Sequence, residues 1–189
     1  MDRPVVLCDV DGVVADLLTE WLGRYNVRWG DDLTKEDILA WDLAKFVRPE
    51  CGNQVFDILW EEDLYDYVSP IEGALEGIHE FREMGCRVVY VTSSNEITAK
   101  SKMVWLDLNG FLDKSLPPVS QGLDVVIAHD KSLVSGEIMV DDHVGNLLTT
   151  QARLPILFAQ PHNEIFADDG WCRLDGWEEV VTGIAEWVG

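Results

Sequence analysis

The stretch Val5-Val6-Leu7-Cys8 runs into Asp9-Val10-Asp11-Gly12-Val13, so an apolar run ends abruptly in two carboxylates one residue apart and a glycine. A short apolar run without alternation fits a strand covered on both faces, as in a parallel sheet. Charge at the carboxyl end of such a strand falls where open α/β sheets bind their ligands. Two acids this close repel each other, and both stay ionised only where a cation or another group offsets the charge. Carboxylate and carbonyl oxygens suit Mg²⁺. A strand followed by an acidic turn without function would read the same over these residues, so the rest of the chain has to decide.

Further apolar runs repeat the arrangement. Cys86 to Val91 reads as a strand ending in Thr92-Ser93-Ser94-Asn95, Asp124 to Ala128 as one leading to His129-Asp130-Lys131, Glu137 to Val140 as one ending in Asp141-Asp142, and Pro155 to Ala159 as a fifth. Between them, spacing at three and four predicts helices from Val13 to Tyr25, Ala74 to Met84, Ile97 to Leu108, Val144 to Gln151 and around Trp177 to Val188. The polar stretch from Asp113 to Gly122 reads as a connection. The result is a doubly wound α/β fold with a mainly parallel, Rossmann-like sheet. From about 26 to 70 the texture differs: short helical pieces, Thr34 to Ala40 and Asn53 to Trp60, are separated by Gly30, Pro49 and Gly52 with no strand-like run. The expected organisation is a core of residues 1–13 and 71–189 with a small helical cap inserted at 14–70. Asp-x-Asp, Thr-Ser and Asp-Asp at the ends of three strands is a set far more specific than any one of them. Hydroxyls between a strand and a helix start are placed to bind phosphate oxygens, or simply to cap the helix.

At 189 residues and 47% hydrophobic, with eight tryptophans, the chain can build a sizeable single core. Trp177 and Trp187 are expected in it. A formal net charge of −21 argues against nucleic-acid polymers and anionic membranes as partners, since no basic patch is visible to neutralise phosphates. Cys8, Cys51, Cys86 and Cys172 have no Cys-x-x-Cys spacing, and His79, His129, His143 and His162 share no metal-ligand spacing, which argues against zinc and for reduced, structural thiols. No run approaches the roughly 20 apolar residues of a membrane span, and no basic leader precedes the first strand, so a cytoplasmic location is expected.

These residues resemble the haloacid dehalogenase-like phosphohydrolases and, more narrowly, the 5′(3′)-deoxyribonucleotidases. The similarity rests on Asp9 to Asp16 (DVDGVVAD), Pro70 to Leu75, Val91 to Ser94, Lys102 to Trp105, Asp130 to Val134, Ile138 to Asp142 and Leu157 to Asn163. The resemblance implies that Asp9 is a nucleophile forming an aspartyl-phosphate and that Asp11 is the acid/base. Phosphate would be held by Thr92, Ser93 and the backbone N–H of Gly12. Of two candidate lysines it favours Lys102 for phosphate and leaves Lys131 to pair with a carboxylate. Mg²⁺ is expected on Asp9, the Asp11 carbonyl and Asp142, with Asp141 behind. His143 stands where relatives carry a basic residue, and Ser94-Asn95-Glu96 where some have Pro and Lys.

The resulting expectation is a Mg²⁺-dependent phosphomonoesterase acting on deoxyribonucleoside monophosphates, as a monomer or homodimer. A phosphatase of sugar phosphates or other small metabolites is the competing enzyme. A non-catalytic phosphoacceptor domain is the competing class, disfavoured because nucleophile and acid/base share one strand end. Within the cap, Trp41 and Phe46 are the aromatics expected against the nucleoside, because they flank a loop instead of repeating along a helix face.

Overall fold

Successive residues of the central strands face two different apolar layers, which is why these strands read as unbroken apolar runs. In β1 (Val5–Cys8), Val6 and Cys8 belong to the main core while Leu7 belongs to a smaller cluster on the other face. The same split divides Ile138 and Val140 from Met139 in β4 (Ile138–Asp141), and Ile156 and Phe158 from Leu157 in β5 (Leu154–Phe158). With β2 (Arg87–Thr92), β3 (Val125–Ile127) and β6 (Cys172–Leu174) they form a six-stranded, wholly parallel sheet in the order β3-β2-β1-β4-β5-β6. The computed structural model describes residues 3–114 and 123–189.

The order reverses at β1, which pairs with β2 on one side and β4 on the other. A crevice at the carboxyl edge therefore opens between β1 and β4. The main core is closed by α2 (Ala74–Glu83), α3 (Thr98–Leu108) and α5 (Trp177–Val188), through Ile78, Phe81, Trp105, Trp177, Val180 and Ile184. The other face is covered by α4 (Val144–Thr149) through Val144 and Leu147. Trp177 anchors α5, since its Nε1 donates to the Val13 carbonyl at 2.9 Å. Gly77 is required beneath it, because a Cβ there would lie 2.4 Å from the indole.

Several details depart from the sequence reading. The helix after β1, α1 (Leu17–Trp29), starts four residues late. The N–H groups of Val13, Val14 and Ala15 converge on the Val10 carbonyl, and Ala15 bridges to Pro70, so this stretch is a turn and a stem. Asp16 N–H donates to Ser69 and Ile71 N–H to Val14, each at 2.9 Å, so the 14–70 segment leaves and rejoins the chain at one place. Beyond α1 it consists of 3₁₀ turns at Lys35–Asp37, Leu43–Lys45, Gly52–Trp60 and Leu64–Asp66 instead of α-helices. Arg24 ties them to α1, pairing with Glu20 at 2.7 Å, Glu61 at 2.6 Å and Asp63 at 2.7 Å. β6 is a strand that the sequence did not signal, as three residues around Arg173 carry no apolar run. Trp187, expected in the core, is 37% exposed on the last turn of α5. The connection expected over 113–122 lies outside the described residues except for its first two. Cys8, Cys51 and Cys86 are buried free thiols, and Cys172 is exposed. Among the described residues no helix is long and apolar enough to cross a membrane.

Candidate active site

Three strand ends meet at the switch point. β1 delivers Asp9, whose N–H continues the ladder to the Val140 carbonyl at 2.9 Å, and β4 delivers Asp141 and Asp142 beside it. One carboxylate oxygen from each of Asp9, Asp141 and Asp142 lies within 4.8 Å of the others, and all three residues are buried. Burial, Asp141 and Asp11 push the Asp9 carboxyl up to about 7 against the downward pull of Lys131. Burial and the neighbouring Asp9 and Asp141 hold Asp142 well above the usual carboxylate range. Positive charge is therefore in short supply here.

The lysines divide the site between them. Lys131 Nζ reaches Asp9 Oδ1 at 2.8 Å and Asp141 Oδ2 at 2.7 Å, and the two carboxylates keep its ammonium above the ordinary lysine range despite burial. Lys102 Nζ donates to Asp11 Oδ2 at 2.7 Å, Thr92 Oγ1 at 2.8 Å and the Ser93 carbonyl at 2.7 Å. Thus Lys102, Thr92, Ser93 and Asp11 form one group, and Lys131, Asp9 and Asp141 another. Ser93 Oγ turns to the Ala128 carbonyl at 3.1 Å.

Asp141 and Asp142 differ in how well they are satisfied. Asp141 accepts from Lys131, from His143 N–H at 2.9 Å and from Asn146 Nδ2 at 3.0 Å and 3.1 Å. Asp142 Oδ1 is buried with no partner, while Oδ2 lies 3.4 Å from His162 Nε2. An orphaned carboxylate oxygen beside Asp9 fits a hard divalent cation, and the cluster of Asp9, Asp141 and Asp142 could hold one. Gly12 permits this approach: φ is +76°, and a Cβ there would sit 2.1 Å from Asp142 Oδ2. Its N–H, expected to hold phosphate, instead donates to the Ala15 carbonyl at 2.9 Å. The glycine is there for its missing side chain.

Above the carboxylates a cavity of about 540 Å³ opens between the sheet edge and the 14–70 segment. Asp11, Asp142, Lys102, Ser93 and His129 lie on its core side, and Trp21, Trp41, Phe56, Trp60 and Tyr65 line it from the 14–70 segment. Trp41 is 59% exposed, yet its ring lies 4.1 Å from the His143 ring and 5.2 Å from that of His162. Burial holds both imidazoles below their usual value. Phe46 is off the cavity, half-buried against the main core. The turn at Leu43–Lys45 sends it inward, which corrects its expected place beside the substrate.

Five residues without an assigned role also converge. Tyr65 donates its hydroxyl to Asp11 Oδ1, and burial next to that carboxylate pushes the phenol well above its ordinary value, so it is a neutral donor. Gln160 Nε2 donates to the Gly12 carbonyl at 2.7 Å. Asn163 Nδ2 donates to the carbonyls of Asp142 at 2.9 Å and Phe158 at 2.8 Å. His162 and Asn146 complete the surroundings of the acidic pair. The signal for three of them was present, as Gln160-Pro161-His162-Asn163 follows the strand next to β4 at the same sheet edge.

Residues 3–186 match the family model described as 5′ nucleotidase, deoxy (Pyrimidine), cytosolic type C protein. The chain is 29% identical over 189 residues to a 5′(3′)-deoxyribonucleotidase of Clostridium acetobutylicum, covering 95% of this chain and 94% of that protein. It is 29% identical over 180 residues to a 5′(3′)-deoxyribonucleotidase of Bacillus subtilis, covering 94% and 96%. The fold is similar to that of a HAD family hydrolase from Deinococcus radiodurans, solved with bound phosphate and sodium, at a TM-score of 0.61 and 18% identity over 97% of this chain and 96% of that one.

Proposed function

Because the chain belongs to the 5′(3′)-deoxyribonucleotidase family of haloacid dehalogenase-like phosphohydrolases, and is thus a nucleotide phosphatase, we propose that it hydrolyses deoxyribonucleoside monophosphates through Asp9 and Asp11. The observation that carries the reading is a cavity walled by aromatic rings and floored by Asp11 and Asp142, with the Asp9 carboxylate clustered against Asp142. A nucleoside offers a flat apolar face to such a wall. The rings of Trp21, Phe56 and Trp60 give a flat base more to contact than a small sugar, which disfavours the sugar-phosphate alternative.

Asp9 Oδ1 is fixed by the Val10 N–H at 2.7 Å and by Lys131, so Oδ2 is the oxygen that attacks phosphorus. The ester oxygen of the nucleoside leaves with a proton from Asp11, and Asp11 then takes a proton from the water that opens the aspartyl-phosphate. Lys102 and Thr92 bind phosphate oxygens as the ester enters, while Lys131 keeps the nucleophile oriented and meets the phosphate once it is on Asp9. A divalent cation, Mg²⁺ in this reading, would be held by Asp9, the Asp11 carbonyl and Asp142, and supplies positive charge to the transferring phosphoryl group. The 14–70 segment acts as a cap that keeps water from the site and supplies the nucleoside surface through Trp41.

The test is phosphate release from a panel of nucleoside monophosphates and sugar phosphates with Mg²⁺, using the wild type and Asp9→Asn. Deoxyribonucleotides should lead the panel, and the variant should be inactive while folded. Appreciable turnover by Asp9→Asn would overturn the covalent mechanism, and preference for sugar phosphates would overturn the substrate.

A further inference from the structure

Tyr65 belongs to the 14–70 segment, lines the cavity and meets the Asp11 carboxylate. It lies in the turn Leu64–Asp66, at the far end of the 14–70 segment from α1, and is 3% exposed. Its ring is held edge-on by Trp105 at 6.4 Å, and Trp105 is itself fixed by a 2.8 Å hydrogen bond from Nε1 to the Val68 carbonyl. The Lys102 ammonium lies 5.6 Å from the Tyr65 ring centre. A phenol this buried needs a partner for its O–H. It takes neither a backbone carbonyl nor a side chain of its own segment but Oδ1 of Asp11, fifty-four residues away.

We propose that Tyr65 is a positioning residue for Asp11, fixing the carboxyl plane and selecting Oδ1 as the oxygen that carries the catalytic proton. The inference rests on the reading of Asp11 as acid/base. The two carboxylate oxygens have unlike partners, Lys102 at Oδ2 and Tyr65 at Oδ1. An ammonium has donors only, so a proton on Oδ2 would oppose it. A phenol hydroxyl both donates and accepts. Tyr65 therefore donates to the carboxylate and accepts from the carboxylic acid, serving both protonation states without moving the side chain. When the ester bond to phosphorus breaks, the Oδ1 proton turns from the tyrosine oxygen to the departing nucleoside oxygen and passes to it, and the tyrosine O–H turns back to the carboxylate. In the second half-reaction Oδ1 takes the proton of the attacking water and the hydroxyl reverses again. Because the partner comes from the segment above the site, a correctly held acid/base requires that segment to be seated.

Tyr65→Phe keeps the ring against Trp105 and removes only the hydroxyl. Its kcat/KM is measured on a deoxyribonucleoside 5′-monophosphate, whose alkoxide must be protonated to leave, and on p-nitrophenyl phosphate, whose phenolate departs without a proton. The variant should lose about 10- to 100-fold on the nucleotide, and the loss on the aryl ester should be at least about tenfold smaller. Equal losses on both substrates, or no loss on either, would overturn the proposal. Asp11→Asn provides the reference. If it shows no such leaving-group dependence, the reading of Asp11 fails and takes this inference with it. If it does and Tyr65→Phe does not, the inference alone fails. Adding Tyr65→Phe to Asp11→Asn should cost nothing further on the nucleotide, and a full additional loss there would likewise refute a role exerted through Asp11.

Discussion

Lys131→Met tests how the acidic centre is held together. The ammonium is 4% exposed and ion-paired to two buried carboxylates, at 2.8 Å to Asp9 and 2.7 Å to Asp141. Methionine fills much the same volume, so the change isolates the charge. Removing one partner of a buried pair leaves an uncompensated charge and costs about 3–5 kcal/mol. For a domain of this size each kcal/mol moves the thermal midpoint by about 2–4 °C, which predicts a loss on the order of 6–20 °C. Lys102→Met should cost about 1–2 kcal/mol, because Asp11, with a side chain 29% exposed, keeps Tyr65 and can be hydrated.

The deficit at Lys131 should depend on pH in a definite sense. Burial raises the Asp9 carboxyl from 3.8 to about 7. A folded-state value above the unfolded one means that this group's contribution to folding is full at low pH and is lost as pH rises through the folded value. Without Lys131 the carboxyl rises further, so the variant should be penalised most near pH 8 and much less near pH 5, where Asp9 is protonated in both proteins. The assay is urea or thermal unfolding of wild type, Lys131→Met and Lys102→Met with a chelator present, so that no cation replaces the ammonium. A deficit below about 1 kcal/mol, one independent of pH, or a larger one for Lys102→Met would refute the reasoning.

Gly12→Ala should abolish Mg²⁺ binding by calorimetry and lower stability by about 1–3 kcal/mol, because the new Cβ would lie 2.1 Å from Asp142 Oδ2 at a φ of +76°; unchanged Mg²⁺ affinity would show that Asp142 is not a ligand. Trp41→Ala should raise KM for nucleotides more than for p-nitrophenyl phosphate, with a small change in thermal midpoint because the ring is 59% exposed. A large fall in midpoint with an intact substrate profile would make Trp41 a packing residue on His143 and His162. With a formal net charge of −21, the midpoint should climb as NaCl is raised towards 1 M, where the screening length falls to about 3 Å. A midpoint independent of salt would mean that self-repulsion does not limit this fold.

The parts of the molecule that could be read in advance share one property: local sequence determines them. An apolar run followed by polar groups describes β1, β2 and β4 wherever they lie in space, because a strand covered on both faces has only its ends free for chemistry. That put Asp9, Thr92, Asp141 and Asp142 at one sheet edge before their contacts were known. Elements set by tertiary context were not legible. The turns at Lys35–Asp37 and Leu43–Lys45 are three residues each, too short for a helical face, so no periodicity says that Phe46 points into the core while Trp41 lies over two histidines. β6 exists because β5 offers it an edge. Tyr65 acts through one hydrogen bond to a residue fifty-four positions away, and spacing carries no trace of a bond formed only on folding.

The same locality governs the charge of the site. A chain this acidic looks ill-suited to an anionic substrate, yet the field that matters is that of the few groups lining one crevice. There, Asp9, Asp11, Asp141 and Asp142 face Lys102 and Lys131, two of the fourteen lysines and arginines in the chain. When all four carboxylates are ionised they exceed the two ammonium groups by two charges, the charge of one divalent cation. The excess is localised, since Asp11 and Asp141 are each ion-paired to a lysine while Asp142 keeps a buried oxygen with no partner. Loading the cation would neutralise the crevice without relieving the repulsion elsewhere on the surface. The phosphate end of the substrate would then meet a site whose formal charge is balanced, inside a protein whose net charge repels polyanions, which favours a small monoester over a nucleic-acid strand.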